Sequence, residues 1–267
     1  MEHTIACLGS CFALELRQIL RDRKHCILPA HDLSGMVWYN SYSILYEFER
    51  AFGDFKTEYG DCWYNKRGDR MGWQEPSRRV MIAPTMPRLK NMSEEFDAAM
   101  GSVLWHCSMY LITITLSECW QLKNSGRMAC ASPLYSMKST KSSGIDLCKF
   151  YNATKEDNLR NLEKICELIY THRGPIPIVF GLCPVPLRAT FTNLPLIQAT
   201  KDGKRKIKWA MKQVAKKYDF VHYFNVYEIC QKIPIKQRFN KDKRHIRPPV
   251  IKDVAKSFEH QFIKDKS

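Results

Sequence analysis

Ile5-Ala6-Cys7-Leu8-Gly9-Ser10-Cys11-Phe12-Ala13 decides the reading of this chain. The apolar run Ile5 to Leu8 has strand character, and Gly9-Ser10 ends it. Phe12, Leu16, Ile19 and Leu20 then share one face at helical spacing, so a helix opens at once. Ser10 stands at that helix's amino end, where backbone N–H groups are unpaired and the dipole favours negative charge. A nucleophile whose reaction develops an oxyanion is well served there. A Gly-Ser turn also packs a strand against a helix with no chemistry at all, so the stretch alone does not choose.

Outward from it, apolar runs at 4–8, 109–116, 176–183 and 220–224 predict strands. Between them lie helical patterns. The helix at 41–52 places Ile44, Leu45, Phe48 and Phe52 on one face, with Asn40 or Ser41 to cap it. The helix at 155–171 carries Leu162, Ile165, Cys166 and Ile169 behind Thr154, and 204–217 carries Ile207, Ala210, Met211 and Val214. This alternation predicts an α/β fold, a three-layer α/β/α sandwich around a mostly parallel sheet. Reactive groups gather at the carboxyl ends of such strands, which is where Ser10 falls. Residues 53–93 break the pattern. Gly53, Gly60, Gly68, Gly72, Pro76, Pro84 and Pro87 punctuate them, and we read a long irregular loop inserted in one domain spanning 1–267. Its Trp63, Tyr64 and Trp73 suit either packing over the core or stacking on sugar rings at a site mouth.

Composition sets the remaining bounds. At 267 residues, 45% hydrophobic and 26% charged, the chain is an ordinary globular one of enzyme size. No apolar run reaches the roughly 18–20 residues needed to span a bilayer. Glu2 stands where a signal peptide would be basic, so a cytoplasmic protein with no membrane span is expected. The 11 cysteines lie singly, without Cys-x-x-Cys spacing, and read as free, mostly buried thiols. The histidines at 3, 25, 31, 106, 172, 222 and 260 show no ligand spacing, so no metal or other cofactor is expected. Net charge is +15, and after residue 200 there are 19 Lys and Arg against 7 Asp and Glu. Such a face attracts polyanions, but no nucleic-acid motif is present and the lysines of 204–217 read as a solvated face. Nucleic acid is not an expected partner.

The far end of the chain supplies a companion for Ser10. Asp242-Lys243-Arg244-His245 sets a carboxylate three positions before an imidazole, within reach of one ring nitrogen. The other nitrogen is then available to take a proton from a serine. Lys243, Arg244 and Arg247 surround the histidine with positive charge, which fits an exposed loop residue equally well.

A strand-end serine followed late in the chain by Asp-x-x-His is the triad order of the SGNH (GDSL-like) hydrolases, and the whole chain resembles the GSCFA family of that superfamily. Residues 9–13 spell the family's pentapeptide. Further similar blocks are Tyr39-Asn40 with Glu49-Arg50-Ala51-Phe52-Gly53, and Thr113-Ile114-Thr115-Leu116-Ser117-Glu118-Cys119-Trp120. Cys183-Pro184-Val185-Pro186-Leu187 with Ala189-Thr190-Phe191 follows, then Tyr223-Phe224 with Tyr227-Glu228, and finally Asp242 to His245. The blocks keep family order from residue 5 to about 255. Departures mark a divergent member: Thr115 for glycine, Cys183 for serine, Gly203-Lys204 for Ser-Lys and Asn225-Val226 for Pro-Ser.

The resemblance implies a serine esterase acting on an O-acyl ester, carbohydrate-linked by expectation, with a small molecule or carbohydrate ester as substrate. Ser10 would be the nucleophile, His245 the general base and Asp242 its orienting carboxylate. Oxyanion donors would be the Ser10 backbone N–H and, by analogy, Asn40 or Asn152. Both asparagines also stand where helix caps are needed. Glu118 and Trp120 match a family block without a derivable role. The alternative is a catalytically impaired module that binds a glycan or assists polysaccharide assembly. The acyl group, the acceptor and the oligomeric state are not read from these residues.

Overall fold

The computed structural model describes residues 4–29, 36–53, 55–67, 70–130, 133 and 147–263; His3, His31 and Gly68 of the features above lie outside them. The chain begins with β1 (Thr4–Leu8), α1 (Cys11–Asp22), β2 (Cys26–Leu28) and α2 (Ser41–Phe52). Then come β3 (Trp63–Arg67), β4 (Arg70–Gln74), β5 (Ile82–Ala83), α3 (Met86–His106) and β6 (Met109–Ile114). β7 (Glu118–Leu122), β8 (Met128–Ala129), β9 (Cys148–Asn152) and α4 (Lys155–Arg173) follow. Last are β10 (Ile178–Leu182), α5 (Leu196–Lys217), β11 (Val221–Phe224), α6 (Val226–Gln231), α7 (Ile235–Arg238) and α8 (Pro248–Phe258).

Five strands form the central sheet in the order β11-β10-β6-β1-β2, and every pairing is parallel. A parallel sheet needs both faces covered, and the side chains alternate accordingly. On β1, Ala6 and Leu8 join a core with Ile44, Phe48, Leu162 and Ile207 from α2, α4 and α5. Ile5 and Cys7 face the opposite core with Phe12 and Leu16 of α1 and Ile251 and Val254 of α8. The α/β/α sandwich is therefore the observed fold. Its winding direction reverses between β1 and β6, and a crevice at the carboxyl ends of those strands is the expected place for a ligand.

Local chemistry sets the helix ends. Asn40 Oδ1 accepts the Ser43 N–H at 2.9 Å and opens α2. Thr154 and Asp157 form a reciprocal capping box at α4. Three differences from the sequence reading stand out. β6 stops at Ile114 because the Thr115 and Leu116 N–H groups both turn to Tyr39 O, at 3.0 and 2.8 Å. The helix expected at 204–217 begins earlier, at Leu196 after Pro195. Residues 53–93 are not irregular throughout. They hold the antiparallel sheet β3-β4-β5 and the first turns of α3.

The reason is a buried ionic cluster that periodicity does not reveal. Arg78 is fully buried and donates to Glu47 of α2 at 2.8 and 2.6 Å, and to Asp97 of α3 at 2.5 Å. Arg50 of α2 reaches Glu75 at 2.6 Å, and Glu75 also accepts the Ser93 hydroxyl of α3 at 2.9 Å. These bonds dock the segment onto α2 and α3. Among the described residues no helix is long and apolar enough to cross a membrane.

Candidate active site

The turn from β1 to α1 is tight. Gly9 has φ +149°, and a Cβ there would stand 2.2 Å from Thr113 Oγ1 and 2.5 Å from Thr113 O on β6. Only glycine fits such a close approach without moving backbone. Its carbonyl accepts the Trp38 N–H at 2.8 Å, tying the turn to the segment before α2. Ser10 is the N-cap residue of α1, but its side chain makes no cap hydrogen bond. It is fully buried, and Ser10 Oγ lies 3.3 Å from Cys183 Sγ at the end of β10. Among the described residues that thiol is its side-chain hydrogen-bond partner, and His245 is not.

The carboxyl end of β6 completes this neighbourhood. Thr115 spends its N–H on Tyr39 and its carbonyl on Lys204 Nζ, at 2.9 Å. The position that departs from glycine is thus held by structural bonds. Lys204 is buried and, among the described residues, its Nζ bonds a backbone carbonyl rather than a carboxylate. Burial pushes its pKa down to about 8, with Cys183 and Cys11 close enough to pull the other way. Helix α5 approaches closely because residue 203 is glycine: a Cβ there would lie 2.7 Å from Ser117 Oγ. Thr113 Oγ1 and Thr115 Oγ1 are buried without hydrogen-bond partners.

Asp242 and His245 form the expected pair. Asp242 Oδ2 meets His245 Nδ1 in a short hydrogen bond, and Asp242 Oδ1 accepts the backbone N–H groups of Arg244 and His245 at 3.0 and 3.1 Å. The Arg244 N–H, then the imidazole, hold the carboxyl down at about 2. Lys243 takes a left-handed φ of 56° to close this turn. A Phe239–Ile246 bridge and the Asn240 N–H to His245 O bond at 2.8 Å fix the loop base. Ile246 is buried in the same core as α1 and α8. Glu15, one turn beyond Cys11, sits partly buried in the fields of His245 and Asp242; burial is the main cause of its raised pKa.

A cavity of about 410 Å³ opens between these parts. Cys11, Tyr39, Thr115 and Arg244 line it on the side of the two chain ends, and Trp120, Leu187 and Phe191 make an apolar wall. The Trp120 and Phe191 rings meet edge-on at 4.9 Å. Glu118 has a definite role here. It accepts the Thr190 hydroxyl at 2.6 Å and the Phe191 N–H at 3.0 Å, fixing that wall to β7.

The two asparagines differ in placement. Asn40 caps α2 and donates Nδ2 to Ala129 O at 3.1 Å. Asn152 ends β9, where its Oδ1 accepts from Ser117 Oγ at 3.3 Å and Lys206 Nζ at 3.2 Å. Neither lines the cavity. Arg79 and Arg188 escaped the sequence reading, and Lys204 entered it only within a family block and as one of the lysines of a solvated face. For Lys204 a signal existed: it precedes Ile207 and Met211 by three and seven positions, on the apolar stripe of its helix.

The model of the GSCFA family matches residues 4–258. No curated protein and no solved structure matches the chain.

Proposed function

The chain belongs to the GSCFA family, and from that premise we propose that it is a serine acyl hydrolase of SGNH type. Its substrate in this reading is an O-acyl ester, carbohydrate-linked. The observation that carries the reading is the cavity lined by Cys11 and Arg244, the immediate chain neighbours of Ser10 and His245. Residues more than two hundred positions apart in sequence flank one opening.

In this mechanism the ester enters and Ser10 Oγ exchanges Cys183 for His245, a looser contact without ligand being common. Oγ attacks the carbonyl carbon while His245, held through Nδ1 by Asp242, takes the hydroxyl proton on its other nitrogen. The oxyanion develops at the amino end of α1, where N–H groups and dipole stabilise it. Of the asparagines, Asn40 is the better donor, because one amide hydrogen remains beyond its bond to Ala129 and its neighbour Tyr39 lines the cavity. His245 then returns the proton to the leaving alcohol. Water, or a sugar hydroxyl in a transferase, releases the acyl group from Ser10.

A second reading rests on a specific observation: Ser10 is fully buried, with Cys183 as its hydroxyl's partner. On that reading the module binds its ligand without turning it over. Hydrolysis of 4-nitrophenyl acetate separates the two. The hydrolase reading expects wild-type turnover and a loss on the order of 10³-fold in Ser10→Ala. Turnover that survives the substitution, or is absent from folded wild type, supports the binding module.

A further inference from the structure

Most polar groups around the cavity beside Ser10 and His245 are already bonded within the protein. Glu118 spends both oxygens on the Thr190 hydroxyl and the Phe191 N–H. The Tyr39 hydroxyl accepts from Arg79, and the Thr115 backbone is bonded at both its N–H and its carbonyl. The Cys119 thiol donates to Tyr151 O and the Cys130 thiol to Val37 O, at 3.5 and 3.4 Å. Thr115 Oγ1 and Arg244 Nε are buried without hydrogen-bond partners, and both belong to the side of the two chain ends, where an ester's polar atoms react. Away from that side the lining is apolar, with Trp120, Val185, Leu187 and Phe191. Sugar hydroxyls buried there would lose their water without gaining partners, whereas methylenes lose nothing.

Size points the same way. At about 410 Å³ the space is more than ten times the ~30 Å³ share of one water, itself close to the size of a methylene, so an acetyl group would leave most of it unfilled. Beyond Phe191 the apolar surface continues outward, since Leu194, Leu196 and Ile197 are exposed at the start of α5. Resting on the acyl-hydrolase reading, we propose that the ester's acyl group is an aliphatic chain of about eight carbons, laid along Leu187, Trp120 and Phe191, with the sugar side of the ester at the mouth beside the exposed Arg188. Each methylene fully covered by the wall is worth roughly fourfold in kcat/KM.

The experiment compares the 4-nitrophenyl esters of acetate, butanoate, hexanoate and octanoate as substrates of the full chain. The leaving group is constant, so the series reads the acyl side alone. Intrinsic reactivity falls slightly as the chain lengthens, so a rise reports binding. We expect kcat/KM to climb along the series and to favour octanoate over acetate at least thirtyfold. Leu187→Ser and Phe191→Ser should each cut that ratio at least fivefold, while Met71→Ser, an equivalent loss of exposed apolar surface on β4, leaves it unchanged. In parallel, calorimetry measures octanamide and acetamide binding to Ser10→Ala and to its Leu187→Ser double variant. A ratio near or below one in wild type, one that both wall variants leave intact, or one that follows Met71→Ser as strongly, overturns the proposal and leaves the hydrolase reading standing. If no ester is turned over yet octanamide binds in a Leu187-dependent way, the chain-binding cavity stands and the hydrolase reading falls. Absence of both turnover and octanamide binding overturns the cavity's role as well.

Discussion

Lys204 shows how one buried side chain can set the pH dependence of stability. Its folded-state pKa of about 8 lies below the ordinary 10.5, because burial disfavours the charged form. Below pH 8 both folded and unfolded chains carry the proton, and the folded state bears a constant penalty of about 3 kcal/mol, at roughly 1.4 kcal/mol for each unit of depression. Between pH 8 and 10.5 the unfolded state binds more protons, so this contribution makes stability rise with pH. Lys204→Met keeps the apolar stem and removes the charge. Urea denaturation should find it more stable than wild type by about 3 kcal/mol at pH 7, with the gap closing toward pH 10. A gap that is absent, or widens with pH, contradicts the burial argument. The sequence reading placed this lysine on the solvated face, since lysine is almost never buried unpaired. Its position in the stripe was legible, but its burial was not. Ser10 was legible because a strand, a glycine and a helix meet there; its contact with Cys183, 173 positions away, was not.

Elements fall into those that declare themselves and those held by partners distant in sequence. α2 was legible to the residue, since Asn40 and the Ile44, Leu45, Phe48 and Phe52 face are all local signals. β2 was not, because three residues carry too little pattern. The segment 53–93 misled for a physical reason. Its glycines and prolines read as the punctuation of an irregular loop, yet Glu75 and Arg78 are buried and pair with Glu47, Arg50 and Asp97 on two helices. A cluster of this kind fixes where an element sits more than it adds net stability, and removing one partner strands the others. Arg78→Met should therefore cost about 3–5 kcal/mol in denaturant unfolding. It should also open the β4–β5 connection to limited proteolysis before the global transition. A cost below about 1 kcal/mol, or no early cleavage, would show that the segment is docked by its apolar contacts instead. The same principle governs the cavity wall. Glu118 anchors Thr190 and Phe191, so Glu118→Ala should raise KM for the aryl esters several-fold with a smaller change in kcat. An unchanged KM would mean that the wall holds its place without this carboxylate.

The molecule as a whole is a doubly wound sheet whose strand order brings the first and last parts of the chain to one place. α1 and α8 pack on the same face, and Arg23 and His25 bond Glu259 at 2.6 and 2.7 Å beyond α8. The loop carrying Asp242 and His245 descends onto α1 as a consequence. Alternating strands and helices made the architecture readable, and motif order pointed to the pairing of the ends. The cavity between them depended on side-chain directions that no spacing rule encodes. The central claim is that a hydroxyl at the start of the chain is activated by an imidazole near its end. Mass-spectrometric mapping of a fluorophosphonate adduct, timed in wild type and in folded His245→Ala, tests it most directly. The account predicts a single adduct on Ser10, formed at least 100-fold more slowly without the imidazole. An adduct on another residue, or one on Ser10 that forms equally fast in both proteins, would contradict it.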